Sequence, residues 1–147
     1  MAAAAQAAVG LPLGEQEGNF RLRVTPNGDN RVVFRRHNGY ICHLSVFNPT
    51  HHRQAFKVKT SNNDLLLIRP VMALLEPQEE KSVTLRYRSP ASQGGDPAAP
   101  TIPADDVHHI SISQIPAPDG APARGVWGVH NGPAMGLRRI RCRFVNN

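Results

Sequence analysis

The sequence predicts an all-β protein built as an antiparallel β-sandwich, and three observations support this prediction. At least five short segments alternate apolar with polar residues, which is the period of a strand with one buried face. Thirteen prolines and twelve glycines favour turns between these segments. No apolar pattern with the helical period extends over a useful length. Together these features are typical of two packed sheets, each with one face in the core.

The stretch from Tyr40 to Ser61 contains the clearest pair of strands. Four residues of the first strand share one face, which we expect to be buried: Tyr40, Cys42, Leu44 and Val46. Asn48-Pro49-Thr50 ends this strand, because proline has no N–H to donate to a ladder and Asn favours turns. The second strand alternates in the same way, with two residues on each side: Phe56 and Val58, then Lys57 and Lys59.

The segments before this pair are a predicted arm and two predicted strands. Residues 1–18 are low in complexity, and we expect a flexible Ala-rich arm followed by a folded domain over residues 19–147. Phe20 to Val24 alternates and ends at a strong turn signal, Thr25 to Gly28. Arg31 to Phe34 is predicted as a short strand.

The middle of the chain predicts three more strands and a long loop. Leu65–Ile68, Val71–Leu75 and Lys81–Arg88 are predicted strands, and prolines follow the first two. Prolines and glycines crowd residues 89–106, so we expect a loop there. A loop of this length in a compact domain is functional or disordered.

The last third of the chain predicts two strands and leaves one segment open. His109–Ser113 alternates, and so does Leu137–Val145, in which Ile140 faces the core while Arg139 faces outward. Val126–Val129 is compatible with a short edge strand or with half a helix.

Length and charge bound the class of protein. The 147 residues are enough for one domain, and the net charge of +6 favours acidic partners. The two cysteines, Cys42 and Cys142, occupy core positions of strands, so we expect buried, unpaired thiols in a cytosolic protein. We expect no secretory signal and no integral membrane segment, since no basic leader and no run of about 20 apolar residues occurs.

The sequence favours neither an enzyme nor a metal or cofactor site. No nucleophile elbow is present, and Gly94-Gly95 lacks the lysine of a phosphate loop. Histidines are adjacent at 51–52 and at 108–109. The two side chains of each pair would point to opposite faces of a strand, so neither pair easily binds one metal ion. The acidic pairs at 79–80 and 105–106 are interpreted as solubilising charge in turns.

Outward basic rows are the main candidate for a functional surface. They comprise Lys57 and Lys59, Arg86 and Arg88, and Arg139, Arg141 and Arg143. A solvated face is one interpretation of these rows, and protection of edge strands is another. Nucleic-acid binding is not expected, because aromatic residues for base stacking are almost absent from the outward faces. A protein partner fits the broad faces of a sandwich best.

Several motifs in order resemble the major sperm protein (MSP) domain. They are Asn48-Pro49-Thr50, Phe56 to Ser61, Ile68-Arg69-Pro70, Leu75-Glu76-Pro77, Ile110-Ser111-Ile112, Pro118-Asp119-Gly120, Trp127, and Met135 with Arg138-Arg139. The resemblance covers roughly Phe20 to Phe144. It implies an immunoglobulin-like, seven-stranded antiparallel sandwich.

The resemblance implies two possible functions. Sperm proteins of this family dimerise and polymerise into filaments that move amoeboid nematode sperm, whereas the membrane-associated adaptors bind acidic peptides with two phenylalanines. Lys57, Lys59, Thr60 and Ser61 match the adaptors' peptide-binding strand. His109 and Ser111 stand at the next contact positions, and the pattern around Arg138-Arg139 is more similar to the sperm proteins.

The expected function is therefore that of an accessory protein of the sperm cytoskeleton. The Ala-rich arm, the loop at 89–106 and the region 125–136 depart from the sperm proteins themselves. We expect binding to MSP filaments or to a second copy of the chain, in the cytoplasm and the cytoskeleton of the pseudopod. Acidic protein surfaces are the expected partners, and the candidate contact residues are Lys57, Lys59, Thr60, Ser61, His109, Ser111, Arg139, Arg141 and Arg143.

Overall fold

The computed structural model describes residues 16–26, 30–88 and 102–145, and these residues form two β-sheets packed face to face. Sheet A contains six strands: β1 (Gln16–Gly18), β3 (Arg31–Arg35), β5 (Gln54–Thr60), β7 (Met72–Leu75), β9 (His109–Pro116) and β10 (Gly136–Val145). Sheet B contains four: β2 (Arg23–Thr25), β4 (Ile41–Phe47), β6 (Leu66–Arg69) and β8 (Glu80–Tyr87). A 3-10 turn spans Arg36–Asn38, and a short helix, α1, spans Ala123–Val129.

The strand order places β5, β9 and β10 side by side in sheet A. The order is β1–β10–β9–β5–β7, with β3 also paired to β10, and sheet B has the order β2–β4–β8–β6. Paired strands of the described residues are antiparallel except β3 and β10, which run parallel from Arg31 opposite Arg141 to Arg35 opposite Val145. The parallel pair arises because the chain leaves sheet A after β1, forms β2 in sheet B, and returns to the same side of β10.

The prediction of an all-β, immunoglobulin-like sandwich is confirmed, with ten strands among the described residues where seven were expected. The chain passes repeatedly between the sheets, and two of these crossings each separate a pair of short strands. One crossing separates β1 from β2, and the other separates β6 from β7. The predicted strand Phe20–Val24 falls on the first crossing, so only its end is paired, although Phe20, Leu22 and Val24 are all buried as their alternation predicts.

The predicted arm and loop lie largely outside the described residues. Of the arm, residues 16–18 are described, and they pair with β10 as β1. Of the loop at 89–106, residues 102–106 are described, and Ile102 packs against the core between the sheets. The remainder of the arm and of the loop stays a prediction.

The undecided segment Val126–Val129 is the second half of α1. Val126 packs with Ala55, Ile115 and Ala117 in a small apolar cluster on the outer side of sheet A. The described part of the chain contains no helix long and apolar enough to cross a membrane.

The core is aliphatic, with an aromatic group at one end. The inward residues of β4 are buried as predicted, and Leu44 and Val46 are almost completely inaccessible. The rings of Phe34 and Phe144 stack with their centroids 5.1 Å apart, and Tyr87 meets Phe144 edge-on at 4.9 Å. Such ring pairs add about 0.5–1.5 kcal/mol each beyond the area they bury. The contact between Tyr87 and Phe144 joins β8 of sheet B to β10 of sheet A, whereas the Phe34–Phe144 stack lies within sheet A.

Cys42 and Cys142 are free, buried thiols, as predicted. Burial raises the pKa of each thiol to about 12, so almost no thiolate exists at neutral pH. We expect a thiol reagent such as dithiobis(nitrobenzoic acid) to label neither residue faster than the native domain opens. Both thiols should react rapidly in guanidinium chloride. Rapid labelling of either one in the native state would show that its strand does not pack as described.

Candidate protein-binding face

Side chains from neighbouring strands of sheet A form a basic surface on the outer side of the sandwich. Alternation along β5, β9 and β10 sends one set of residues into the core and leaves the other set outward. The outward set, called the basic face below, comprises Lys57, Lys59, His109, Ser111, Ser113, Arg139, Arg141 and Arg143, with Arg31 of β3 beside Arg141. The topology therefore brings together seven of the nine residues that the sequence predicted for partner binding.

The register of the strands aligns these side chains in rows. Lys59 lies opposite Ser111, which lies opposite Arg139. Lys57 and Ser113 form the adjacent row. Neighbouring strands are about 4.8 Å apart, so the backbones of Lys59 and Arg139 are separated by about 10 Å. Two cations at this spacing can contact one acidic segment of a partner at the same time.

Trp127 of α1 closes one end of the basic face. Its indole Nε1 donates a hydrogen bond to the carbonyl oxygen of Phe56 at 3.3 Å, and the Nζ of Lys57 lies 5.4 Å from the ring centroid. A cation in this position is attracted by the negative face of the ring. This end therefore combines a positive charge with an aromatic surface.

Two carboxylates compensate the arginines at the other end. Arg31 donates to both carboxylate oxygens of Asp106, each at 2.9 Å, and an Nη of Arg141 lies 3.6 Å from the same carboxylate. The Nε of Arg143 lies 3.3 Å from a carboxylate oxygen of Asp105. The hydrogen bond from Arg31 lowers the pKa of Asp106, and the charges of the nearby arginines act in the same direction, although burial opposes them.

Charge is therefore distributed unevenly over the basic face. Among the described residues, neither Lys57 nor Lys59 has a carboxylate within ion-pair distance. Burial, the charge of Arg139 and the neighbouring His108 lower the pKa of His109, so its imidazole adds less positive charge at pH 7 than an ordinary histidine does. The positive potential is consequently concentrated on the Lys57–Lys59 half of the face.

Two of the predicted contact residues lie elsewhere. Thr60 is on the inward row of β5, and its hydroxyl donates to the side-chain oxygen of Asn63 at 2.9 Å. Ser61 follows the end of β5, where its hydroxyl oxygen accepts from the backbone N–H of His109 at 3.1 Å and lies 3.0 Å from the Nδ1 of His108. These hydroxyls tie the end of β5 to its neighbours and lie at the margin of the face.

Sequence reasoning missed four residues that contribute to the face. The sequence does not indicate Arg31 as a contact residue, because its position beside Arg141 depends on the parallel pairing of β3 with β10. The sequence suggests only solubilising charge for Asp105 and Asp106, because the arginines that they pair with are on β3 and β10, far away in the chain. Trp127 stands in a segment that is compatible with a strand or a helix, and nothing local in the sequence indicates that it meets Lys57.

Other parts of the described surface are weaker candidates for a binding site. Among residues 16–26, 30–88 and 102–145, no group of three or more His, Cys, Asp or Glu side chains is placed to hold a metal ion. An open pocket of about 530 Å³ lies beside the start of β5, and its wall includes Arg53. That guanidinium already bonds to Glu76 and to the carbonyl oxygens of Pro118 and Ala121, at 2.7 Å in each case. The guanidinium in this pocket is therefore already paired, whereas Lys57 and Lys59 of the basic face have no described carboxylate within ion-pair distance.

Comparison with known families gives one match over most of the sandwich. Residues 21–120 match the model of the MSP (Major sperm protein) domain. An uncharacterized protein of Caenorhabditis elegans, ZK688.12, is 26% identical in an alignment of 145 positions that covers 92% of this chain and 76% of that protein.

Solved structures with similar folds come from two groups. WR4, an MSP family member of C. elegans, has a TM-score of 0.57 at 17% identity and covers 88% of this chain and 100% of its own. SSP-19, an MSP-domain protein like family member from the same organism, has a TM-score of 0.52 at 20% identity, over 70% of this chain and 85% of its own. The chaperone YadV has a TM-score of 0.57 at 10% identity, over 87% of this chain and 53% of its own. At these identities the likeness concerns the fold alone.

Proposed function

The chain belongs to the MSP (major sperm protein) domain family, and from this premise we propose that it is a cytoskeletal protein of nematode amoeboid sperm that binds to or modulates MSP filaments. Its place of action would be the cytoplasm, in the cytoskeleton of the pseudopod. In this proposal the chain acts by protein–protein contact and catalyses no reaction. Its partner is an MSP filament or a second copy of the chain.

One observation supports binding to a protein partner as the mechanism: the sandwich of this chain presents a basic face on the outside of sheet A. Lys57 and Lys59 project from β5, and Arg139 projects from β10 on the other side of β9. The aromatic ring of Trp127 lies beside Lys57. Exposed ion pairs contribute only about 0–1 kcal/mol each, so a stable complex needs several such contacts together with a packed apolar residue. The basic face offers both kinds of contact within one surface.

Co-sedimentation with assembled MSP filaments tests the proposal. We expect the protein to sediment with filaments at low ionic strength and to dissociate as salt screens its charges. The double variant Lys57→Glu/Lys59→Glu should weaken binding at least tenfold, because it reverses the uncompensated charges of the face. Absence of co-sedimentation of the unaltered protein at low salt would contradict the proposal.

A matched control separates the face from net charge. Arg69→Glu/Arg86→Glu changes the net charge by the same amount, but both residues are exposed on strands of sheet B. We expect this variant to retain filament binding within about twofold, a difference of about 0.4 kcal/mol. Equal losses in the two variants would indicate non-specific attraction.

A second function of the same face is favoured by the contact between Lys57 and Trp127. An aromatic ring beside an uncompensated lysine suits an acidic, phenylalanine-bearing peptide, as expected for an adaptor module. Titration with such a peptide, followed by tryptophan fluorescence, distinguishes the two functions. Saturable peptide binding that is lost in Lys57→Glu/Lys59→Glu, without filament binding, would favour the adaptor.

A further inference from the structure

The carboxylates of Asp105 and Asp106 lie on the basic face as a bound acidic segment would. Asp106 contacts Arg31 through two hydrogen bonds and lies 3.6 Å from Arg141, while Asp105 lies 3.3 Å from Arg143. Two consecutive residues thus engage three arginines from two strands. The two-point contact of Arg31 with the carboxylate of Asp106 is the geometry that arginine recognises best.

The backbone holds this acidic pair in position. The N–H of Asp106 donates to the carbonyl oxygen of Cys142 at 3.0 Å, and the N–H of Cys142 donates to the carbonyl oxygen of His108 at 2.9 Å. Asp106 has a φ of 67°, a conformation that non-glycine residues seldom adopt and that Asp tolerates better than most. The segment therefore continues the pairing with β10 while its side chains extend over the face.

The side-chain contacts themselves are exposed and hence exchangeable. The side chains of Arg143 and Asp105 are 54% and 48% exposed, and those of Arg31 and Asp106 are 39% and 28% exposed. Water and salt compete with ion pairs of this kind. A partner carrying several carboxylates can replace both aspartates while the backbone of the segment stays on β10.

We propose that Arg31, Arg141 and Arg143 form a receptor for neighbouring carboxylates on a partner protein, and that Asp105 and Asp106 occupy this receptor in the free chain. The inference rests on the proposed use of the basic face for protein binding, and it specifies the partner's chemistry as consecutive acidic residues. The internal pair competes with that partner and sets the affinity of the face.

Binding of a labelled peptide with four consecutive aspartates, measured by fluorescence anisotropy at low ionic strength, tests the inference. We expect Asp105→Asn/Asp106→Asn to tighten binding about three- to tenfold, since the two internal carboxylate charges no longer compete with the peptide. Asp105→Asn alone, which leaves the contacts of Asp106 intact, should tighten it about twofold. A peptide with asparagine in place of aspartate should bind none of the variants.

Two further variants show whether the gain arises at the receptor. Glu80→Gln/Asp119→Asn removes the same number of charges from exposed sites away from the face, and we expect no tightening from it. Adding Arg141→Gln/Arg143→Gln to the double asparagine variant should cancel the gain. Unchanged affinity in Asp105→Asn/Asp106→Asn, or equal tightening in the distant control, would overturn the inference.

The outcome is separable from the filament test. If Asp105→Asn/Asp106→Asn binds the peptide more tightly but the protein does not sediment with filaments, the receptor stands and the filament is rejected as its partner. If the chain binds filaments but its affinity for the peptide is the same with and without Asp105 and Asp106, the proposed function stands and the internal competitor is rejected.

Discussion

Gly136→Ala is expected to destabilise the protein by about 3 kcal/mol or more, the largest effect we expect from adding a single methyl group. A Cβ at this position would lie 2.3 Å from both the backbone N and the Cα of Phe20, and 2.6 Å from the carbonyl carbon of Asn19. These are main-chain atoms, so no side-chain rotation relieves the overlap. The chain must move instead.

The segment that would move crosses between the two sheets. The N–H of Asn19 donates to the carbonyl oxygen of Met135 at 2.9 Å, and the N–H of Arg21 donates to the buried side chain of Gln114 at 2.7 Å. Phe20 is buried between these contacts. Displacing the segment would weaken both hydrogen bonds and expose the Phe20 ring, so the expected cost exceeds that of ordinary overpacking.

Chemical denaturation of the purified protein measures this effect, with Gly128→Ala as the matched control. Gly128 lies in α1, and a Cβ there would meet nothing within 4 Å. We expect this control to be neutral or to stabilise the protein by up to about 1 kcal/mol, because alanine favours a helix over glycine. If Gly136→Ala unfolded at the same denaturant concentration as the unaltered protein, the close crossing would be wrong.

Gly136 illustrates which parts of the fold could be predicted from the sequence. Period-2 alternation correctly identifies the buried rows, including Cys42 and Leu44 on β4 and Ile140 on β10, because alternation records only which side of a strand faces the core. Crossings between sheets have no such period. The close approach of residues 19–20 to Gly136 joins positions more than 110 residues apart, and no local pattern reports it.

The candidate site, like the fold, could be predicted from the sequence only in part. That Lys57, Lys59 and Arg139 point outward could be predicted strand by strand. Their assembly into one face depends on the order β5–β9–β10, which follows from the whole topology. The pairing of Asp106 with Arg31 requires in addition the parallel alignment of β3 with β10. Local patterns thus identify candidates, and long-range pairing decides which of them meet.

Asn48→Ala is expected to cost about 2–4 kcal/mol, although the sequence presents Asn48 only as a turn residue. The side chain is completely buried. Its Nδ2 donates to the carbonyl oxygens of His52 at 2.8 Å and Leu75 at 3.1 Å, while its Oδ1 accepts from the N–H and the hydroxyl of Thr50 at 3.0 and 2.6 Å. One amide therefore connects the end of β4, the following turn and the end of β7.

The expected cost follows from what alanine leaves behind. The carbonyl oxygen of Leu75 and the N–H of Thr50 would lose the partner that Asn48 provides, and each such group costs about 1–3 kcal/mol if it stays dry. The carbonyl oxygen of His52 keeps the hydroxyl of Thr50 as a donor at 2.9 Å. Partial entry of water into the vacated space limits the total to the stated range. Asn48→Asp should also destabilise the protein, because it removes the donor and buries a charge.

Asn62→Ala, measured by the same denaturation, tests whether burial is the reason. The Oδ1 of Asn62 accepts from the N–H groups of Asp64 at 2.9 Å and Leu65 at 3.2 Å, so it makes the turn-closing bonds expected of Asn. That turn is open to water, which can replace the lost acceptor, and we expect a cost below about 1 kcal/mol. Similar costs at the two sites would mean that local turn geometry governs both. A large difference in favour of Asn48 would mean that the buried amide stabilises the fold by joining segments distant in sequence.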